Sequence, residues 1–497
     1  MPVVQGTRPS GAFKAVPGTM AKLKTAILFS VGEKYLIFVI QFVSSIAIAR
    51  LLSPHEIGIF SIGSLVLSFS HALRDLGISN YLIQERELTP ERLRTAGTIT
   101  LTMSWFLACV AWLASEPLAA FYREEGVGEV LNVLALNFLI LPLGSVSGAL
   151  LRRNMQFDKL IRINLAASLT QSLLGIALCY HGVGFIGLAW AAVAATAVTV
   201  ALTLLIGGRA ASLRPTLGEW RHVMSTGGRF SASAMLNELG LAAPEIIVGK
   251  AVSIESAGLL SRAQGVVGLA YRSLMEGLLP VLMPFFSQSH RAGEDLAPHF
   301  TKSVRYLTAI SFPLFACLAV AMDSIVRLLY GSQWDAAVEP ARILCLGMAL
   351  LSVGHTAGAV IAGMGHARYA LRFNLVGQPI KVVLVLLGSF MSLTHVAWGL
   401  AIGEVVITTY TLAVLGHILG VRLGQIALAV APSLYVTLLA VAGCAAFRLA
   451  FTGGSLLVEV LGSVSAAALG WGLGLLLFRH PLGGEVAGLV RRVARRA

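Results

Sequence analysis

Arg74, Arg262 and Arg272, with Lys34 and Lys381, are basic side chains set inside stretches that are otherwise almost wholly apolar. Arginine presents a fork of N–H donors and lysine a compact charge, and both hold phosphate oxygens. Gln41 adds an uncharged donor and acceptor in the same stretch as Lys34. These six are the candidate substrate-binding residues, and the substrate they suit is anionic. Glu33, Asp75, Glu238 and Glu245 lie in the same kind of stretch. A carboxylate removed from bulk water gains from taking up a proton or a cation, so these four are candidates for coupling H+ or Na+.

Structural roles compete with these assignments. Glu33-Lys34 and Arg74-Asp75 are adjacent opposite charges that could each bridge to another helix, since helical neighbours point about 100° apart. Arg262 is close enough to the start of its stretch to snorkel. Glu404 would serve as a partner for a basic residue. Arg272 and Lys381 lie deeper.

The spacing gathers polar groups into stripes. Ser61, Ser64, Ser68, His71 and Asp75 fall on one helical face, and Ser261, Gln264, Gly268 and Tyr271 repeat the pattern. Ser30, Lys34, Gln41 and Ser45 share a side of their stretch, and Glu238 and Glu245 stand two turns apart. Four such stripes imply a water-accessible cavity, although any one serine has the plainer role of an interhelical hydrogen bond. The chain has no GxxxxGK[ST], HExxH or GxSxG motif. Its five cysteines stand singly in apolar stretches, so no metal cluster, cofactor or catalytic constellation is expected, and the reading is of a protein that is not an enzyme.

The elements that must position these residues are membrane helices. Of 497 residues, 56% are hydrophobic and 12% charged, against about a quarter charged in soluble domains. The apolar stretches are far longer than the roughly 10-residue alternating strands of an outer-membrane barrel, so the fold class is all-α integral membrane. Fourteen candidate spans can be drawn, among them 59–83, 129–150 and 303–330. An even number puts both termini on one side. Lys and Arg outside the spans fall overwhelmingly on that side, which makes it cytoplasmic. The net charge of +13 is thus accounted for by topology and contact with the phospholipid bilayer, and nucleic acid is not expected as a partner.

The stretch 25–63 recurs 200 residues later. At that offset Ser53, Gly58 and Ser61 meet Ser253, Gly258 and Ser261, and Arg50 meets Lys250. Two six-helix lobes in the same orientation are predicted, with the substrate site between them near the midplane. The expected order is a disordered cytoplasmic tail (1–21), N-lobe (22–208), cytoplasmic linker (209–222), C-lobe (223–420), two C-terminal helices (421–480) and a basic cytoplasmic tail (481–497). No segment outside the spans is long enough for a separate domain, which argues against a membrane-bound glycan polymerase with a large active-site loop.

EKYLIFVIQFVSSIAIARLLSPHEIGIFSIG and LRDLGISNYLIQ, with PEIIVGKAVSIESAGLLSRA and LLYGSQWDAAVEPARIL further on, resemble the polysaccharide transporter family of the multidrug/oligosaccharidyl-lipid/polysaccharide exporter superfamily. The resemblance runs essentially from Lys24 to His480. It implies a Wzx-type flippase of the bacterial inner membrane. Such a protein carries undecaprenyl-pyrophosphate-linked oligosaccharide repeat units across by alternating access, for surface or exported polysaccharide. A polysaccharide polymerase and a chain-length regulator are the implied protein partners. The resemblance also implies cationic residues in spans 1, 2 and 8 of a central cavity, where Lys34, Arg74, Arg262 and Arg272 stand. In span 7, where relatives often have aspartate, PEIIVGK carries Glu245. The alternative within the superfamily is a cation-coupled multidrug exporter, whose cavity should be acidic.

Overall fold

Serine, threonine and proline mark where the helices start. Ser53 precedes Pro54 at the first helical position; its hydroxyl accepts the Glu56 N–H at 3.3 Å, while the Glu56 carboxylate accepts the Ser53 N–H at 2.9 Å. This reciprocal capping box satisfies two donors that the helix cannot. Ser253 caps its helix by accepting from the Ser256 N–H at 3.0 Å, and Thr89, before Pro90, accepts from the Arg92 N–H at 3.2 Å.

The computed structural model describes residues 17–485 and 488, leaving out 76–77, 86, 208–214, 217, 367 and 452–453. Among the described residues the fold is all-helical. Its first half comprises α1 (Pro17–Leu51), α2 (Pro54–Asp75), α3 (Ile78–Gln84), α4 (Pro90–Tyr122), α5 (Glu125–Ile140), α6 (Pro142–Arg153), α7 (Phe157–Tyr180) and α8 (Phe185–Gly207). The second half comprises α9 (Trp220–Ala251), α10 (Ile254–Arg291), α11 (Leu296–Val320), α12 (Met322–Leu329), α13 (Val338–Gly363), α14 (Arg368–Ser389) and α15 (Leu393–Leu419). Then come α16 (Leu423–Ala450) and α17 (Leu456–Leu477). The first 16 residues and most of the basic C-terminal tail lie outside the described residues, and α1 begins within the stretch expected to be an N-terminal tail.

Among the described residues, ten helical segments are each long and apolar enough to cross a membrane, or eleven if α5 and α6 form one bent span. The chain is a multi-pass membrane protein. The expected span 129–150 breaks at Leu141, where Pro142 starts α6 at 56° to α5. The expected spans 59–83 and 303–330 likewise divide, into α2 with α3 and α11 with α12. An apolar run carries the reading through such breaks, because hydropathy does not register direction.

In the first half α4 packs on α5, α7 on α8 and α1 on α7; in the second, α13 packs on α10, α11 and α15, and α14 on α15. The halves meet chiefly where α2 crosses α10 and α9. One buried cluster spans this meeting, with Ile57, Ile62 and Val130 from the first half beside Val248, Ala257 and Val267 from the second. α16 and α17 pack on each other and, through α16, on α11.

Candidate functional site

The α1–α2 and α9–α10 elbows come together, and the contact is built from glycine and serine. A Cβ on Gly58 would stand 2.0 Å from the Ile254 carbonyl oxygen, and one on Gly258 would stand 2.0 Å from that of Pro54. Only glycine permits backbones this close. One turn further on, the Ser61 hydroxyl donates to Ser261 Oγ at 2.8 Å. The Glu245 carboxylate of α9 lies against both hydroxyls, buried, with Arg262 beside it.

Larger groups close the elbow end around this crossing. Arg50, at the end of α1, donates from Nε to the Leu329 carbonyl at 3.0 Å and from Nη2 to that of Leu328 at 2.5 Å. Those carbonyls end α12, where a helix exposes its negative pole. Lys250, at the end of α9, donates to the Phe121 carbonyl near the end of α4 and sits over the Phe121 ring. Trp334 and Gln333 donate to the Ala49 carbonyl at 2.8 and 2.7 Å. The two sequence-matched cations, Arg50 and Lys250, therefore each bind a helix end in the other half.

Beneath this closure the helices leave space. Gln41, Ser44 and Ser45 of α1, Phe60 of α2, Gln171 of α7 and Arg262 of α10 line a cavity of about 200 Å³. Arg262 Nη1 donates to Ser45 Oγ at 2.6 Å, with the Tyr330 hydroxyl alongside, while its buried Nε has no partner among the described residues. A Cβ built on Gly265 or Gly268 would meet nothing within 4 Å, so this stretch of α10 also borders open space.

The two sides of the bundle differ. α9 packs on α14, α2, α10, α4 and α3, whereas the extensive packing of α1 among the described residues is on α7. One face of α1 is correspondingly open, with Leu36, Val39 and Val43 about half exposed.

Of the residues singled out in the sequence, Arg262, Glu245 and Gln41 thus lie in or beside this region. Arg272 is exposed further along α10, where its Nε donates at 3.4 Å to the Gly268 carbonyl. Lys34 is exposed on α1, two turns before Gln41, and Glu238 is half-buried on α9. Lys381 of α14 is elsewhere: its Nζ donates to Glu404 Oε1 of α15 at 2.6 Å, and both are buried. The side chains of Glu33, Arg74 and Asp75 lie outside the described residues. The amides that the sequence reading passed over are Asn137, Asn164 and Gln171, which line a larger cavity with Gln41. Asn164 and Gln171 stand seven apart in one helix, a signal that was available; Asn137 stands alone in an apolar helix and gave none.

Among structures, the fold is similar to one titled lipid II flippase MurJ, inward closed conformation, with a TM-score of 0.74 at 12% identity, covering 92% of this chain and 100% of that one. It is also similar to an inward-facing multidrug resistance MATE family transporter of the MOP superfamily, with a TM-score of 0.60 at 15% identity, covering 77% and 94%. Among sequences, the chain is 23% identical over 351 residues to the lipopolysaccharide biosynthesis protein WzxC of Escherichia coli, covering 69% of this chain and 70% of that one. To the succinoglycan biosynthesis transport protein ExoT of Rhizobium meliloti it is 24% identical over 346 residues, 68% of each. Residues 47–339, more than half of the chain, match the family model described as polysaccharide biosynthesis protein; the chain belongs to that family.

Proposed function

We propose that the protein is a flippase that moves undecaprenyl-pyrophosphate-linked oligosaccharide repeat units across the bacterial inner membrane for surface or exported polysaccharide. The observation that carries this reading is the cavity of amide and hydroxyl groups that ends on Arg262 beneath a closed elbow end. Arginine suits the pyrophosphate and the uncharged polar wall suits the glycan, while the open face of α1 leaves a way for the prenyl chain to stay in lipid. Family membership and the names of WzxC and ExoT support it.

In this reading the helices before and after 209–222 are two six-helix lobes related by the sequence repeat, with α16 and α17 appended. Both termini are cytoplasmic by the positive-inside rule, so the closed elbow end is periplasmic and the cavity opens inward. Lys34, Arg74 and Arg272 guide the anionic headgroup towards Arg262. Release requires the Ser61–Ser261 crossing to part, and Glu245, which touches both serines, is the carboxylate best placed for H+ or Na+ to act on it; Glu33, Asp75 and Glu238 are the other candidates. Lys381, paired with Glu404, contributes to the second lobe's own stability.

The test is to delete the gene and follow radiolabelled lipid-linked sugars beside surface polymer. Repeat units trapped on the cytoplasmic leaflet, released by the wild-type gene, are the expected result. Units stranded on the outer leaflet would point to a polymerase. An unchanged pool with new sensitivity to cationic dyes would point to a drug exporter.

A further inference from the structure

α1, α5, α7 and α8 line an open cavity of about 410 Å³, whose polar lining is Gln41, Asn137, Asn164, Ser168, Gln171 and the threonines of α8. Among the described residues none of its lining side chains is charged. That separates it from the neighbouring cavity, which shares Gln41 and Gln171 but ends on Arg262.

Two lining groups lack partners. Asn137 is 2% exposed; its Nδ2–H is donated to the Leu134 carbonyl at 2.9 Å, and its Oδ1 has no partner among the described residues. The Ser168 hydroxyl, also buried, has none either. A buried amide oxygen is costly to leave unmatched, and in this wall a small rotation of Asn137 would offer it to a donor in the cavity. α7 supplies the wall by its spacing: Asn164, Ser168 and Gln171 lie on one face, and the exposed Leu169 and Leu173 on the other.

The chemistry of the lining selects the ligand class. Carboxamides and hydroxyls both donate and accept, as the hydroxyl and acetamido groups of a neutral sugar do. Without a full charge they could not compensate a carboxylate or an ammonium group taken out of water. The volume falls within the roughly 300–1,000 Å³ of ligand pockets. It shares Gln41 and Gln171 with the Arg262 cavity, which places a sugar next to an anion, as a glycosyl pyrophosphate presents them.

We infer that this first-half cavity is a sugar-reading subsite that takes the neutral sugar nearest the pyrophosphate of the substrate. The inference rests on the flippase reading above and adds to it a set of specificity-determining residues separate from the cationic ones.

The test is equilibrium binding to the full-length protein in lipid nanodiscs. The probes are farnesyl pyrophosphate without sugar and farnesyl pyrophosphate carrying glucose, galactose or N-acetylglucosamine. The wild type is expected to bind at least one sugar-bearing probe about tenfold more tightly than the bare one. Asn137→Leu and Asn164→Leu should each abolish that gain and leave bare-probe affinity unchanged, since neither residue lines the Arg262 cavity; Asn164 is exposed, so its variant should fold even where Asn137→Leu does not. Equal wild-type affinity for all probes, as from a cavity that holds only water, overturns the inference and spares the flippase reading. A gain that survives both substitutions overturns it too, by placing sugar recognition elsewhere. Failure to bind any farnesyl pyrophosphate overturns the flippase reading and the subsite with it.

Discussion

The Ser61 hydroxyl donates to Ser261 Oγ at 2.8 Å, joining residues 200 positions apart in the chain. They are matched positions of the sequence repeat, and so are Gly58 and Gly258, whose backbones touch one turn earlier. Contact between like residues is what a rotation axis passing between α2 and α10 would produce. Glycine and serine face each other at the centre of the crossing, while the buried Ile57, Ile62, Val248 and Val267 pack around them and must separate when the crossing parts. What holds it are the anchors around it, Arg50, Lys250 and Trp334, each bound to a carbonyl of the opposite half.

The serine separation puts two cysteines within disulfide reach, which needs Cβ atoms about 3.5–4.5 Å apart. In a variant with the five native cysteines removed, Ser61→Cys with Ser261→Cys should crosslink under mild oxidation. A protease site placed in the 209–222 segment reads this directly, since crosslinked halves stay together after cleavage. Transport should stop on oxidation and return on reduction. A crosslinked protein that still transports would show that this crossing never has to open.

Gly258→Val should fail for a different reason. Its Cβ would stand 2.0 Å from the Pro54 carbonyl oxygen and 2.8 Å from the Gly58 nitrogen, and backbone cannot step aside as a side chain can. Overpacking of this kind costs about 1–3 kcal/mol, here charged to the closed elbow end. The expected result is a protein that inserts and elutes normally but whose Ser261→Cys background is labelled faster by an impermeant maleimide from outside. Unchanged labelling would mean that α2 and α10 do not seal this end.

The elbows were legible in the sequence because their caps and glycines recur at a fixed offset, and a repeat is a one-dimensional signal. Arg262 and Glu245 were legible as charges in apolar helices. Glu404 was legible as a partner for some basic residue, but not that the residue is Lys381, because the pair joins neighbouring helices and nothing local marks it. The amide cavity was half legible: Asn164 and Gln171 share a helical face, but Asn137 counts only once α5 is folded against α7 and α8. The break at Leu141 was missed because Pro142 reads equally as a kink within a span or as the start of a new helix.

The appended helices are fastened by charge at the elbow end. Arg448 of α16 reaches Asp323 of α12 at 2.6 Å and Glu459 of α17 at 3.3 Å, and Ser324 donates to Glu459 at 2.7 Å. Burial pushes the Asp323 carboxyl up, but the hydrogen bond and charge of Arg448 outweigh it and hold the group below its ordinary range. A carboxyl depressed in the folded state stabilises the fold above its unfolded value, and that contribution fades as pH falls through the folded value. Thermal melts of the purified protein should therefore drop as pH is lowered from about 5 to about 3, with Asp323→Asn flattening the drop. At neutral pH the variant should lose about 1–2 kcal/mol, a figure kept low because Asp323 is partly exposed. An unaltered pH profile in Asp323→Asn would remove this pair from the stabilising contacts.

Arg262 is the side chain on which the anion-binding reading depends. Its Nη1 is committed to Ser45 at 2.6 Å, but its Nε is buried without a partner among the described residues, at the end of a cavity of about 200 Å³. A guanidinium can keep the serine and still present a second N–H to a phosphate oxygen, which a lysine ammonium at the same place reaches only as a point charge. Arg262→Gln should lower export of lipid-linked repeat units by at least about tenfold, the loss of one charge-assisted hydrogen bond. Arg262→Lys should restore only part of it. Glu245→Gln removes the carboxylate beside the guanidinium, so it should bind farnesyl pyrophosphate more tightly while exporting more slowly. Parallel melts separate these effects from misfolding. Full export by Arg262→Lys would show that charge alone suffices, and full export by Arg262→Gln would move the pyrophosphate site along α10 to Arg272.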